Sequence, residues 1–338
     1  MKKVALSLVL MAGLATGSAM AADMATKAPP APPAPPPSPW DVAISAALMT
    51  DYNFRGITQS AHHPSSQAGF ELRYNSSPTL QWYAGISGES IDFPNNAAAE
   101  IDFYGGFRPT FDKLALDFGL WYYWYPGGNC FGVVGGGIAG CGGNPANAFV
   151  ANSNVQPLGG NVAVADASFW EVYGKATYTF NDQWAAGIQE WYSPNVSNTG
   201  AWGSFTTGNI TFTAPSSWFP ANSGLGGYIS GDVGYWDLGT SGIFYATGVA
   251  PFLTGVKYAS YTTWDAGLGW TYKAFTLDLR YYDTNLTKVQ CSVFTSATNA
   301  SFSAGNVSAF DPNGLQSNWC GAAYIAKLSF AANLSGLK

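Results

Sequence analysis

The 338-residue sequence predicts an all-β fold, a transmembrane antiparallel up-and-down β-barrel of about 12 strands, and three observations carry that reading. Charged residues make up only 10% of the chain, while it holds 40 Gly, 13 Trp, 19 Tyr and 21 Phe. A soluble domain carries about 25% charged residues, so there are too few Lys and Glu here to cover a water-facing surface. Long stretches alternate apolar and polar residues with period two, the pattern of a strand with two different faces. Beyond the first residues, no apolar run approaches the roughly 20 residues that a spanning helix needs.

The first element is a leader. Lys2 and Lys3, the apolar run Val4 to Ala15 and the close Ala19-Met20-Ala21 have the order of a secretory signal with an A-x-A cleavage site, so residues 1–21 are set aside from the fold. Residues 22–39 then form a leader that is nearly all Pro and Ala from Pro29 to Pro39. Such a tract is an extended polyproline spacer in the periplasm, read either as a tether to the cell wall or as a passive connection. Without the signal the chain has 12 basic against 20 acidic residues, a net charge of −8. With no basic run, nucleic acid is excluded as a partner.

Residues 40–338 form the predicted barrel, with strands at 40–50, 67–75, 80–90, 99–109, 114–125, 169–180, 184–192, 226–238, 242–250, 261–273, 275–283 and 322–330. The clearest alternation sets Leu114, Leu116, Phe118, Leu120, Tyr122 and Trp124 against Ala115, Asp117, Gly119, Trp121, Tyr123 and Tyr125. Short connections, as at Pro109 to Lys113 and Lys273-Ala274, are periplasmic turns, and the long ones at 126–168, 193–225 and 284–321 are extracellular loops. Keeping that phase requires an outward strand between 226–238 and 261–273, which is why the weakly patterned 242–250 is included. The even total then leaves both termini periplasmic.

Cys130, Cys141, Cys291 and Cys320 show no C-x-x-C spacing. In an exported protein they are expected as disulfides Cys130–Cys141 and Cys291–Cys320, each within one loop, with free buried thiols the alternative. The only histidines, His62 and His63, fall in the first extracellular loop and read as solvated. A catalytic or metal-binding role beside Ser65 or Ser66 is the competing reading, and no enzyme, metal or cofactor is expected. Gly132 and Gly135 to Gly137 lack the following helix and Lys of a phosphate loop. The aromatic clusters near strand ends read as interfacial girdles more readily than as sugar platforms.

Three blocks in order resemble a known family. Asp51-Tyr52-Asn53-Phe54-Arg55-Gly56-Ile57-Thr58-Gln59-Ser60, Glu100-Ile101-Asp102-Phe103-Tyr104-Gly105-Gly106 and Tyr122-Tyr123-Trp124-Tyr125-Pro126-Gly127 resemble those of the TorF-type porin family of bacterial outer-membrane proteins. A looser fourth block, Tyr261 to Gly267, has Thr263 where the family has Asp, and the chain ends Gly336-Leu337-Lys338 instead of on an aromatic residue. The resemblance implies a porin-like role in the outer membrane. The expected function is passive diffusion of ions or small hydrophilic solutes, with a closed structural or adhesive barrel as the alternative. Lipid and lipopolysaccharide are the expected partners, and a homo-oligomer is left open.

The expected pore-lining residues are Arg55, read either as a cation in the mouth paired with Asp51 or as a rim residue fixing the first loop by hydrogen bonds, and Glu100, Asp102, Arg108, Asp117, Asp265, Asp278 and Arg280. With Glu71, Glu89, Glu171, Asp232, Arg73, Lys175, Lys273 and Lys327, the lumen carries nine acidic against six basic groups apart from Arg55. A net of −3 predicts a weak preference for cations. The same charges could instead pair across the barrel and partly fill it.

Overall fold

In the computed structural model the described residues are 38–128, 166–241, 244–245, 253–254, 257–295, 297, 300–308 and 314–334. Twelve antiparallel strands close into one barrel. They are β1 Trp40–Met49, β2 Ser65–Ser77, β3 Leu80–Glu89, β4 Glu100–Phe111, β5 Leu114–Trp124 and β6 Phe169–Thr179. β7 Trp184–Ser193, β8 Gly203–Thr213, β9 Leu225–Leu238, β10 Tyr261–Tyr272, β11 Phe275–Thr284 and β12 Ala323–Asn333 complete it. β12 returns beside β1, with Ala43 opposite Asn333 and Met49 opposite Lys327, so no edge is left unpaired. In hydrocarbon, closure is what satisfies every strand N–H and C=O.

The alternation explains why these segments become strands in lipid. Phe70, Leu72, Tyr74, Trp82, Ile86, Leu268, Trp270, Leu277 and Leu279 stand exposed on the outer face. Their neighbours in sequence, among them Glu71 and Tyr83, are buried in the lumen. Cross-strand aromatic pairs mark the turn end of the barrel: Trp40–Tyr74, Trp82–Phe107, Trp184–Phe212 and Phe275–Phe330, with ring centroids 4.7, 5.4, 5.0 and 5.3 Å apart. Phe103–Trp124 and Tyr281–Tyr324 mark the opposite end. These form girdles, but of the aromatic residues in the clusters expected there, Trp121 to Tyr125 and Trp264 to Tyr272, only Tyr122, Trp124, Trp270 and Tyr272 are exposed on the outer face. Trp121, Tyr123 and Tyr125, on the other parity, face inward; Trp121 stacks on Tyr104 at 4.1 Å. Inside, tyrosines lie flat across glycines of the neighbouring strand. A Cβ on Gly85 would stand 2.3 Å from Tyr104, and one on Gly269 2.3 Å from Tyr228.

The strand count agrees with expectation, but its composition does not. The expected strand at 242–250 is no part of the barrel. Its described residues, Phe244–Tyr245, pair with Leu253–Thr254 as a small hairpin within an outer loop. The missing strand is β8, inside the segment expected to be the loop 193–225. Its outer face begins with Ser204 and Thr206, whose hydroxyls donate to Glu190 of β7, so the apolar half of the alternation is absent where it would be sought. One strand gained and one lost leaves the count even, yet β9 runs outward instead of toward the turns. Lys273, expected in the lumen, sits in the two-residue turn before β11 with φ 52°.

Elements of the first and last outer loops cover the outer end. The loop between β1 and β2 carries a small hairpin, Asn53–Phe54 against Ile57–Thr58. After β11 comes the helix α1, Lys288–Thr295. Its Cys291 is bonded to Cys320 with sulfurs 2.06 Å apart, as expected, tying the helix to the segment that enters β12. Cys130 and Cys141, and the leader 1–37, lie outside the described residues.

Candidate functional site

The first loop folds down into the barrel mouth. Its tip turns through Arg55 at φ 51° and Gly56 at φ 80°, and Gly56 fits because it has no side chain. A Cβ there would stand 2.2 Å from Thr284 Cγ2 and 2.6 Å from Thr263 Oγ1 on the facing wall. The Tyr261 hydroxyl donates to the Arg55 carbonyl at 2.8 Å and holds the tip from β10.

Arg55 does not pair with Asp51. Its two terminal nitrogens donate to the two carboxylate oxygens of Glu171 on β6 at 2.9 and 2.7 Å, and the Tyr123 hydroxyl donates to Glu171 at 3.0 Å. The guanidinium also lies 4.4 Å from both the Phe205 and Trp236 rings and 4.6 Å from that of Phe54. Both side chains of the pair are buried, at 5% and 0% exposure. A fork-on-fork pair stacked between aromatic faces is the geometry for which guanidinium is suited and ammonium is not. Burial pulls the Arg55 proton affinity down, but the adjacent Glu171 outweighs it and holds the group above its ordinary value.

Asp51 organises the loop instead. It accepts from Thr58 Oγ1 at 2.5 Å and Ser60 Oγ at 2.9 Å, and its other oxygen faces His62 Nδ1 at 2.8 Å. His62 Nε2 lies 2.9 Å from the Asn318 carbonyl, which can only accept. His62 is therefore a clasp between the first and last outer loops rather than a freely solvated ring. The hydrogen bond to Asp51 raises its pKa above the ordinary value. His63 remains exposed, 3.8 Å from Asp92.

Below the mouth the lumen charges gather into two paired groups. Arg108 donates twice to Glu71, at 2.8 and 2.9 Å, and once to Asp117 at 3.3 Å, while Arg73 reaches the same Glu71 at 2.5 Å. Across the barrel Arg280 donates to Asp265 at 2.5 Å and to Asp278 at 3.1 and 3.0 Å. The Tyr83 hydroxyl donates to Asp117 and that of Tyr228 to Asp278, each at 2.6 Å. Glu100 and Asp102 join neither group. They lie with Glu89 just inside the outer rim, and Glu100 accepts from the Tyr52 and Tyr125 hydroxyls at 2.6 and 2.8 Å. Above them a cavity of about 110 Å³ opens between the loops, lined among others by Phe54, Gln59, Phe93, Tyr125, Trp236 and Phe294.

Every expected pore-lining residue thus faces the interior, but the partners differ from those the sequence suggested. Face follows from parity within one strand. The Arg55–Glu171 pair joins residues 116 apart, and no local signal announces it. The role of His62 was hidden in the same way, since its partner Asn318 is 256 residues on.

An apolar belt between aromatic girdles around a charged interior defines an outer-membrane β-barrel. Residues 33–136 match a family described as "Bacterial protein of unknown function (Gcw_chp)". No curated protein matches the chain. Among solved structures it is similar to the NanC porin, at 9% identity over 86% of this chain and 98% of that one, with a TM-score of 0.41. It is also similar to the TodX deltaS2S3 mutant monoaromatic hydrocarbon channel, at 10% identity over 88% and 90% with a TM-score of 0.42. OmpT, an outer membrane protein of Vibrio cholerae, gives 11% identity over 87% and 96% with a TM-score of 0.33. The barrel itself, not these scores, carries the fold.

Proposed function

We propose that the protein is a TorF-type porin, an outer-membrane channel for passive diffusion of ions or small hydrophilic solutes, with the inward-folded first loop as its constriction. One observation carries this reading. The ion pairs in the barrel's middle are not fully packed over, Arg108 keeping 29%, Asp117 19% and Arg280 14% of side-chain exposure, which leaves room for solvent beside them. A lumen filled as a dry core would leave such groups no solvent, and their burial would be costly even when paired. The sealed Arg55–Glu171 pair favours a second reading, a closed structural or adhesive barrel. We give it second place because the seal is one loop tip and not a filled interior.

The reading includes no catalytic role. His62 spends both ring nitrogens on Asp51 and a backbone carbonyl, so no hydroxyl or thiol is set against it as a nucleophile would be. Single-channel recording of the folded protein in planar bilayers tests the proposal. Discrete, salt-dependent conductance steps support a channel. Their absence, in both the native chain and a variant with the loop contact broken, establishes the closed barrel.

A further inference from the structure

Glu89, Glu100 and Asp102 place three carboxylate oxygens within 4.8 Å of one another at the outer end of the lumen. Antiparallel register forces them together: Glu89 stands directly opposite Glu100, and Asp102, two residues deeper on β4, stands opposite Ser87. Like charges directly opposite on one face destabilise a sheet. Here the residues are also buried, at 3, 2 and 3% exposure. Among the described residues, no Lys or Arg is in an ion pair with any of the three, whereas Glu71, Asp117, Glu171, Asp265 and Asp278 of the same lumen each have such a partner.

The hydrogen bonding is incomplete in a particular way. Glu100 has both oxygens satisfied by tyrosine hydroxyls, and Glu89 Oε1 accepts from Gln67 Nε2 at 2.7 Å. Asp102 Oδ2 accepts a long bond from Ser87 Oγ at 3.4 Å, while Glu89 Oε2 and Asp102 Oδ1 are buried without a hydrogen bond, the indole N–H of Trp121 lying near Asp102. Such orphaned acceptors are costly, and they sit in a cluster that already lacks a cation. Lys327 is near enough to act on Glu89 electrostatically but makes no ion pair with it, its ammonium donating to Gln67 at 3.2 Å.

We propose that Glu89, Glu100 and Asp102 form a binding site for a divalent cation of the calcium class, a site that goes beyond the channel reading and does not depend on it. The donor set is oxygen only, which selects hard cations over zinc or copper. Ca²⁺ takes oxygens at about 2.3–2.6 Å in irregular geometry, so two ligands of one ion stand at most about 5 Å apart, and the three oxygens here all lie within 4.8 Å of one another. Glu89 Oε2 and Asp102 Oδ1 supply two ligands, Glu100 a third, and water the rest. The bound ion would join β3 to β4 and, because Tyr52 donates to Glu100, would also fix the root of the first loop. The bland alternative is that protons alone neutralise the cluster.

Tb³⁺ luminescence distinguishes the two. The folded, chelator-stripped protein in a nonionic detergent is titrated with Tb³⁺, with excitation of the nearby aromatic residues, and then with Ca²⁺ or Mg²⁺ as competitor. The expected result is one saturable site per barrel, displaced by Ca²⁺ far better than by Mg²⁺. Glu89→Gln with Asp102→Asn should weaken it by more than about tenfold. Asp92→Asn, an exposed acid outside the cluster, should leave it unchanged. No saturable binding, or binding indifferent to the double substitution, overturns the site. Should the double variant fail to refold, equilibrium dialysis of the unaltered protein decides: one Ca²⁺ retained per barrel supports the proposal and none overturns it.

Discussion

Replacing Glu171 by Gln should release the first loop without unfolding the barrel. The substitution keeps the side chain's shape and leaves the Arg55 guanidinium buried with no anion. Two hydrogen bonds between opposite charges, at 2.9 and 2.7 Å, become at best one bond from the guanidinium to a neutral oxygen, because an amide offers a single acceptor oxygen. Removing one partner of a buried ion pair costs about 3–5 kcal/mol, mostly from the charge left behind. At 1.4 kcal/mol per factor of ten, the closed state of the loop loses about a hundredfold to a few thousandfold in population relative to the open one. The Asp51 clasp and the Tyr261 bond to the Arg55 carbonyl remain, so the loop is loosened at its tip and not stripped from the mouth. In planar bilayers the variant should show a higher open probability or larger unitary conductance than the native protein, with unchanged heat-modifiable gel mobility as the control for folding. Arg55→Met combined with Glu171→Met should close it again, since removing both charges of a buried pair is often nearly neutral. A folded Glu171→Gln protein that conducts no differently from the native one would refute the assignment of this pair as the constriction.

Three further outcomes follow from the same contacts. Reducing Cys291–Cys320 frees a loop with sequence separation 29, worth about 3.5 kcal/mol in the chain-entropy model, so proteolysis between β11 and β12 should speed up while the barrel still resists heat. His62 has a raised folded pKa, so its stabilisation of the first loop is fully present below the unfolded value near 6.5 and is lost as pH rises through the folded one. Protection of the first loop in hydrogen exchange should accordingly fall from mildly acidic to mildly alkaline pH in the native protein and not in His62→Gln. Among the described residues the lumen holds ten acidic groups, Asp41 now included, against six basic ones, with Arg55 in and Lys273 out. Reversal potentials across a salt gradient should therefore show a cation preference that weakens as salt rises, and Asp232→Asn, which removes a lumen charge not bonded to any base, should reduce it.

The barrel was legible because lipid reads one face of every strand. Leu114 to Trp124 and Phe275 to Tyr281 show their period plainly, since each outward residue must be apolar and each inward one is free to be Asp, Gly or Lys. β8 was not legible for a matching reason. Near its outer end the outward residues are Ser204 and Thr206, whose polarity is answered by Glu190 of the adjacent strand rather than by the lipid. A pattern that depends on one partner across a strand boundary leaves no periodic trace. The weakly patterned run at 242–250 filled the topological gap only because the alternation of short and long connections asked for a strand there, and most of it lies outside the described residues.

Parity also settles which charges face inward, but not which of them meet. Counting lumen charges from the sequence treats Glu71 and Glu89 as equal, whereas Glu71 is shared by two arginines and Glu89 faces another acid. The difference comes from register, since β3 sets Glu89 level with Glu100 while Arg108, farther down β4, is left level with Gln81 and close to Glu71. A shift of one residue in that pairing would turn an entire face outward, and a shift of two would exchange partners while leaving the hydrophobic pattern intact. The alternation that specifies the fold is therefore blind to the pairing that determines whether a lumen acid is neutralised by an arginine, by a proton or by a metal ion. The field along the pore is thus set less by the total charge than by the acids that register leaves without a base, and three of these, Glu89, Glu100 and Asp102, gather at its outer end.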